Sequence, residues 1–326
     1  MAGLGSIGRR HARNLRALGH EVVGFDPVAE RRAAFLEEVS GASVAGTLDD
    51  AIRGCRAAII ASPNIFHLEQ AIRCADAGLA LFIEKPLAAS MAGIDRLSAL
   101  IDERRTVVLM GSNWKFHPGP RRLKAIVESD GFGDALAVQA LGGQYLPDWH
   151  PWEDYRGMYS SRRSMGGGVL LDSHDVDYLT WILGPVARVA CDAVRTGTLE
   201  IETQDLACLL ITFASGARGT LQLDYLQRPY ARRVHVTGST GTAIWDYVAG
   251  VVRHYDTASK SWTDERVPTD SYDINQMYVD EMRHFISSVE AGADTVTPLS
   301  QAVHVLSVLD AARQSAEQGG TPVDVR

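Results

Sequence analysis

A chain of 326 residues with 46% hydrophobic side chains is long enough for two domains and can bury a core in each. A net charge of −8 argues against nucleic acid as a partner, because the Arg-Arg pairs stand among acids and read as solvated faces. No apolar run approaches the ~20 residues of a membrane helix and no signal peptide is visible, so a cytoplasmic protein without a membrane partner is expected. Cys55, Cys74, Cys191 and Cys208 lack CxxC spacing and read as reduced, mostly buried thiols.

In chain order, Gly3-Leu4-Gly5-Ser6-Ile7-Gly8 opens a helix over Ile7–Leu18 that Gly19 ends. His20–Phe25 reads as a buried strand, 28–39 as a helix, Ser43–Ala45 as a short strand and Leu48–Arg53 as a helical turn. Arg56–Ala61 (strand), Ile65–Ala77 (helix), Leu79–Ile83 (strand), 90–104 (helix) and Thr106–Met110 (strand) continue the alternation. Such βα repetition implies a doubly wound parallel sheet with helices on both faces. A linking helix is expected from Pro118 to Glu128, and then the style changes. Ala135–Leu146 reads as a strand, and Gly166-Gly167-Gly168 as the opening of a long helix to Leu183. Strands near 186–195, 204–214, 217–226, 231–237, 242–247 and 250–256 follow without helices between them, as in a largely antiparallel sheet. Helices near 273–290 and 298–316 finish the chain. The expected organisation is an α/β Rossmann domain over 1–117 and an α+β domain over 118–326.

The glycine pattern is a dinucleotide fingerprint: the first glycine makes a tight turn, the second lets backbone approach a pyrophosphate, and the third packs the helix against its strand. Asp26 lies 18 residues past Gly8, where an acid bonds the adenosine ribose and repels a 2′-phosphate. This favours NAD over NADP, while Arg31 and Arg32 leave NADP open. Capping of the helix that starts near Pro27 is the alternative role for Asp26. Only Met1 and Ala2 precede the fingerprint, so the central first strand is expected to be missing, stranding buried backbone groups at about 1–3 kcal/mol each. A mis-called start codon is the expected cause.

Ser62-Pro63-Asn64 with His67 sits where a strand ends and a helix begins, the sheet edge at which doubly wound folds bind ligands; plain helix capping is the alternative. Glu84-Lys85-Pro86 follows the next strand at the same edge. Lys85 there suits a bond to the reacting oxygen of an alcohol or ketone, its cation stabilising alkoxide character during hydride transfer; alone it would read as a surface lysine. His174, in Asp172-Ser173-His174-Asp175-Val176-Asp177, is suited to accept a hydroxyl proton, and Asp175 shares a helix face with Asp172. A solvated acidic helix start is the bland reading, and no second ligand motif supports a metal. The stretch from Gln144 to Arg156, with Tyr145, Trp149 and Arg156, offers flat rings and polar donors to a sugar, or else is a packed loop.

Taken together, these motifs resemble the glucose–fructose oxidoreductase / inositol dehydrogenase / MocA family over nearly the whole chain. The resemblance implies hydride transfer between NAD(P) and a hydroxyl carbon of a sugar, cyclitol or nucleotide sugar, in homodimers or homotetramers. It implies cofactor contacts from Gly3, Gly5, Ser6, Ile7, Gly8, Asp26, Ser62, Pro63, Asn64, His67, Glu84 and Lys85. Lys85 is then the catalytic lysine, His174 the general acid/base and Asp172 its partner. Gln144–Arg156 and His174–Tyr178 are similar to members found with surface-polysaccharide or sialic-acid-type sugars. The chain departs from the family in the single residue, Ser173, between Asp172 and His174, with Asp175 as a substitute partner. A non-catalytic, cofactor-sensing protein on the same fold is the competing class.

Overall fold

The computed structural model describes residues 1–171, 173–267, 269 and 272–326. Two compact units emerge: residues 1–113 with 273–303, and residues 114–272 with 304–326. Residues 273–303 thus return to the first unit, which a linear division at residue 117 does not provide for. In chain order the elements are α1 (Ser6–Ala17), β1 (Val23–Gly24), α2 (Ala29–Glu38), β2 (Ser43–Val44), α3 (Leu48–Ile52), β3 (Ala57–Ile60), α4 (His67–Asp76), β4 (Ala80–Ile83), α5 (Ile94–Arg104) and β5 (Val108–Met110). There follow α6 (Pro118–Val127), β6 (Ala135–Gly143), α7 (His174–Leu183), β7 (Val186–Val194), β8 (Leu206–Phe213), β9 (Arg218–Asp224) and β10 (Ala231–Gly238). The last are β11 (Gly241–Asp246), β12 (Val251–Asp256), β13 (Ser261–Arg266), α8 (Asn275–Ala291), α9 (Leu299–Glu317) and β14 (Val323–Asp324).

In the first unit, β1 pairs in parallel with β2, and β3, β4 and β5 form a parallel sheet in that order. Residues 1–3 lie between the two pieces, with Ala2 bridging both Phe25 and Ile60. The Ala2 N–H donates to the Ile59 carbonyl at 2.8 Å and the Ala61 N–H to Ala2 at 2.7 Å, while the Gly3 N–H donates to Phe25 at 2.9 Å and the Phe25 N–H to Met1 at 2.8 Å. The expectation of a missing first strand is corrected accordingly. This short segment pairs with backbone groups on both sides, which is the requirement for burying them. The strand expected over His20–Phe25 shortens because the His20 N–H closes α1 by bonding the Leu15 carbonyl at 3.0 Å. The apolar run Leu81-Phe82-Ile83 in β4 is completely buried, as a central parallel strand should be. α8 packs here because Met282 and Phe285 join the core of Leu4, Ala12, Phe35, Phe82 and Leu109, with the Phe82 and Phe285 rings 5.8 Å apart.

The second unit is a nine-stranded sheet in the order β13-β12-β11-β10-β6-β9-β8-β7-β14, antiparallel except for the β6–β9 pair. Its two outermost strands, β13 and β14, escape sequence reading. β13 is almost wholly exposed and so shows no apolar alternation, and β14 is two residues long. The long helix expected from Gly166 is corrected. Gly166, with φ of 72°, ends a 3-10 turn over Arg163–Met165, Gly168 takes φ of 117° before the next one, and α7 begins only at His174. Likewise the strand expected to reach Leu146 stops at Gly143, where Pro147 helps set a 3-10 turn over Leu146–Asp148. Among the described residues no helix is long and apolar enough to cross a membrane.

His117 caps α6, its Nδ1 accepting the Gly119 N–H at 3.0 Å, and Pro118 follows at the first helical position. Its ring is fully buried among Trp114, Trp245, Tyr247 and Tyr272. Burial, helped by the Arg232 charge, pushes the imidazole down from 6.5 to about 4. A pKa depressed in the folded state means that the unfolded chain binds the extra proton first. This contribution to stability is therefore complete above about pH 6.5 and is lost as pH falls towards 4. Denaturant titrations at neutral pH and at about pH 4 should differ by roughly 3 kcal/mol attributable to this ring. Replacing it by His117→Asn, which keeps a capping acceptor and does not titrate, should flatten the pH dependence; an unchanged slope would remove the imidazole as its source.

Candidate functional site

The dinucleotide end of the first unit is built by its glycines. Gly3 has φ of +91°, and a side chain on it would meet the Ala61 and Ser62 backbone at 2.5–2.6 Å. A Cβ on Gly8 would come within 2.1 Å of the Gly3 carbonyl oxygen, whereas one on Gly5 would meet nothing within 4 Å. Gly3 and Gly8 therefore let the turn, α1 and β3 close on one another, and Gly5 leaves open space at the start of α1. The first turn of α1, from exposed Ser6 through half-buried Ile7, carries no acid and no side-chain cap. This is the arrangement that leaves a helix N-terminus available to a pyrophosphate.

The Asp26 side chain accepts two backbone N–H groups. Its Oδ2 accepts the Leu4 N–H at 3.0 Å, tying the fingerprint to the end of β1, and its Oδ1 accepts the Val28 N–H at 3.0 Å at the start of α2. The remaining lone pairs suit a ribose hydroxyl.

The loops after β3 and β4 are braced together. His67 is buried, with Nε2 2.7 Å from the Ser62 carbonyl and Nδ1 2.9 Å from the Pro86 carbonyl. Burial nevertheless pushes its pKa down. Glu84 places Oε1 2.6 Å from His11 Nε2, and its Oε2 accepts the Lys85 N–H at 3.2 Å. His67 and Glu84, expected as cofactor contacts, thus have their polar atoms on protein groups and hold the turn that carries half-buried Lys85. The Lys85–Pro86 peptide is cis. His11 was not singled out in the sequence, although its place three residues after Gly8 puts it on the same face of α1.

Pro63 leads into a 3-10 turn over Asn64–Phe66, and Ser62 Oγ donates to Gln70 at 2.8 Å. Asn64 is 6% exposed and neither end of its amide has a hydrogen-bond partner. A buried amide left so costs about 1–3 kcal/mol, which points to an external polar group. The open side of Gly5, the bare first turn of α1 and this orphaned amide at the carboxyl edge of the sheet fit a dinucleotide.

In the second unit, His174 is the first residue of α7 and half-buried. Asp172 lies outside the described residues. Asp175, expected as a substitute partner for His174, lies in the first turn of α7. It is fully buried, bonded to the Tyr178 hydroxyl and to Arg232 Nη2 at 3.0 Å, and a Cβ on Gly142 would sit 2.6 Å from its Oδ2. Asp177 is held by Lys115 Nζ at 2.8 Å, both side chains buried. Two carboxylates in the first turn of α7 are therefore each tied to a cation from another segment, which anchors the turn that begins with His174. Tyr145 lies beneath the Arg228 guanidinium, 3.8 Å from ring centroid to carbon. Trp149 packs on Tyr225 with ring centroids 5.2 Å apart, and its buried Nε1 has no partner. Arg156 is half-exposed and engaged by Glu200 at 3.0 and 3.2 Å and by Asp154.

Residues 1–112 match the family described as oxidoreductase, NAD-binding Rossmann fold, and residues 121–244 match the GFO/IDH/MocA C-terminal domain. Myo-inositol 2-dehydrogenase of Thermotoga maritima is 27% identical over 97% of this chain and 95% of its own length. D-xylose 1-dehydrogenase (NADP(+)) 2 of Haloferax volcanii is 26% identical over 94% of this chain and 92% of its own. UDP-N-acetylglucosamine 3-dehydrogenase of Acidithiobacillus ferrooxidans is 26% identical over 78% and 75%. Among solved structures, levoglucosan dehydrogenase in complex with NADH superposes with a TM-score of 0.89 at 18% identity, covering 100% of this chain and 98% of that one. At that identity the likeness speaks for the fold.

Removing one partner of a buried ion pair leaves the other charge uncompensated. Lys115→Ala should therefore destabilise the protein by about 3–5 kcal/mol in thermal or urea denaturation. The double variant Lys115→Met/Asp177→Leu should recover most of that loss; equal losses in both would show that packing, not charge, anchors α7.

Proposed function

Because the chain belongs to the GFO/IDH/MocA family of NAD-binding oxidoreductases, we propose that it transfers a hydride between NAD and a hydroxyl-bearing carbon of a sugar, cyclitol or nucleotide sugar. The observation that carries this reading is the placement of Lys85: it follows β4 at the carboxyl edge of the parallel sheet, on a turn held from beneath by Glu84, His11 and His67. NAD, when bound, supplies the hydride acceptor, and its reduced form the donor. Lys85 bonds the reacting oxygen and stabilises the negative charge that develops there. His174 takes the hydroxyl proton, or returns it in the reverse direction, with Asp172 as its partner. Asn64 gives its amide to the dinucleotide, and Gly3, Gly5, Ser6, Ile7 and Gly8 form the turn and helix start that receive its pyrophosphate.

The relatives named above support a polyhydroxylated ring as substrate, since they act by name on inositol, xylose and a UDP-amino sugar. All three carry a secondary or anomeric CH–OH. Tyr145 and Trp149 supply rings for the apolar faces of such a substrate, and Arg156 a cation for an acidic group on it. The finer assignment within that range is a sugar of surface-polysaccharide or sialic-acid-type metabolism. A cytoplasmic homodimer or homotetramer completes the reading.

The test is NADH absorbance during incubation with NAD and a panel of myo-inositol, xylose and UDP-N-acetylglucosamine. Lys85→Ala should lower turnover by about 10²–10³ while NADH still binds, as followed by its fluorescence. Undiminished turnover in that variant would remove Lys85 from the chemistry. NADH binding without turnover of any polyol would instead make the protein a cofactor-sensing member of its fold.

A further inference from the structure

Three strands of the second unit meet at one end. Ala231 at the start of β10 pairs with Gly143 at the end of β6, and Gly143 pairs with Asp224 at the end of β9. The segments that follow β6 and β9 therefore leave the sheet side by side, at the end where Arg232 reaches Asp175, the residue after His174. Main-chain bonds join them: the Gln144 N–H donates to the Asp224 carbonyl at 3.1 Å and the Leu146 N–H to the Tyr225 carbonyl at 3.0 Å. The Asp224 carboxylate closes its own loop by accepting the Leu226 N–H at 3.0 Å and the Gln227 N–H at 2.7 Å. The chain leading to Arg228 is thus held in place before any ligand arrives.

The arginines at this end differ in their partners. Arg232 is paired with Asp175, Arg233 with Asp246, and Arg156 with Glu200 and Asp154. Arg228 is exposed, and among the described residues its guanidinium forms no ion pair and no hydrogen bond, not even with exposed Asp148 on the segment after β6. It lies over the Tyr145 ring, with its central carbon 3.8 Å from the centroid. Stacking covers one face of a guanidinium and leaves its in-plane N–H donors uncovered, in the fork that matches the oxygens of a carboxylate or phosphate. On the same segment as Tyr145, the buried Trp149 Nε1 has no partner. Gln227, Pro229 and Tyr230, on either side of Arg228, line a cavity of about 210 Å³. A guanidinium and an indole N–H, both donors only, suit an acceptor-rich ligand.

We propose that the polyhydroxylated substrate carries an oxyanion group, a carboxylate or a phosphate, and that Arg228 is the residue that selects for it. Arg156 is already neutralised by two carboxylates, so the uncompensated charge on these segments is that of Arg228. The guanidinium, stacked on Tyr145 beforehand, gives up less rotamer freedom when the anion arrives. The inference rests on the hydride-transfer reading of this chain and adds to it the charge of the substrate and the residue that recognises it.

Calorimetric titration of the NADH-loaded protein tests it, with D-glucuronate as the carboxylate probe, UDP-N-acetylglucosamine as the phosphate probe and myo-inositol as the neutral one. At least one anionic probe should bind about tenfold more tightly than myo-inositol, and its affinity should fall as salt is raised. The probe that does so identifies the group as a carboxylate or a phosphate. Arg228→Ala should weaken that probe about tenfold relative to myo-inositol, and Arg228→Lys, which keeps the charge without the fork, should weaken it less. NADH fluorescence in each variant checks that it folds. Myo-inositol bound as tightly as both anionic probes, or an Arg228→Ala effect equal on charged and neutral probes, overturns the proposal. An anionic probe that binds through Arg228 but is not oxidised with NAD supports it while overturning the hydride-transfer reading. Binding and oxidation of myo-inositol alone does the reverse, and no binding of any probe overturns both.

Discussion

The Glu84 carboxylate is the group on which the candidate chemistry of the first unit depends. One oxygen meets His11 on α1 and the other accepts the Lys85 N–H, so a single side chain connects the helix that follows the fingerprint to the turn that carries the lysine. His67 adds a second tie across the same edge, between the loop after β3 and Pro86. Lysine side chains are long and rotamer-rich, and one on an unbraced turn would lose much of its freedom on meeting a substrate. Bracing the backbone beforehand removes part of that cost, which is the physical basis of preorganisation. Polar residues at a sheet edge thus divide into those without a protein partner and those that hold their neighbours. Asn64 differs from its neighbours in that its buried amide has no hydrogen-bond partner. Glu84 and His67 belong to the second kind.

A comparable division runs through the first turn of α7. His174, Asp175 and Asp177 stand within four residues, and as sequence they form one acidic cluster around an imidazole. In the folded unit the two acids are separate structural bonds, Asp175 to Arg232 and Asp177 to Lys115. Buried charges persist only when paired, because desolvation of a lone carboxylate costs several kcal/mol. The pairs therefore anchor the start of α7, the turn that opens with His174. The aromatic stretch between β6 and α7 shows the same economy: Trp149 meets Tyr225 edge to face and Tyr145 lies beneath the Arg228 guanidinium, so both rings are held by protein groups.

Much of this was legible from spacing. The glycine fingerprint, Asp26, and the runs that become β3, β4 and β5 appear within a residue or two of their expected bounds, because a buried parallel strand must be an unbroken apolar run and a pyrophosphate turn must be glycine. Legibility failed where the local pattern was silent or misleading. β13 exposes nearly every side chain, so no alternation marks it. The Gly166–Gly168 triplet resembles a helix opening, yet Gly166 and Gly168 take positive φ and α7 starts only at His174. α8 is amphipathic in sequence, and nothing local tells which core its apolar face joins.

Taken alone, the amino-acid order determined the type of most elements, the family, and the residues chemically able to bind a dinucleotide and move a proton, since these follow from side-chain chemistry and short-range periodicity. Tertiary structure alone decided which of the polar residues are available. It turned Asp175 and Asp177 into buried anchors, Glu84 and His67 into braces, and gave Asp26 an arginine neighbour. The reason is physical: the state of an ionisable or amide group is set by the partner that long-range folding places within hydrogen-bond distance, and sequence separations of 57, 62 or 73 residues carry no trace of that distance.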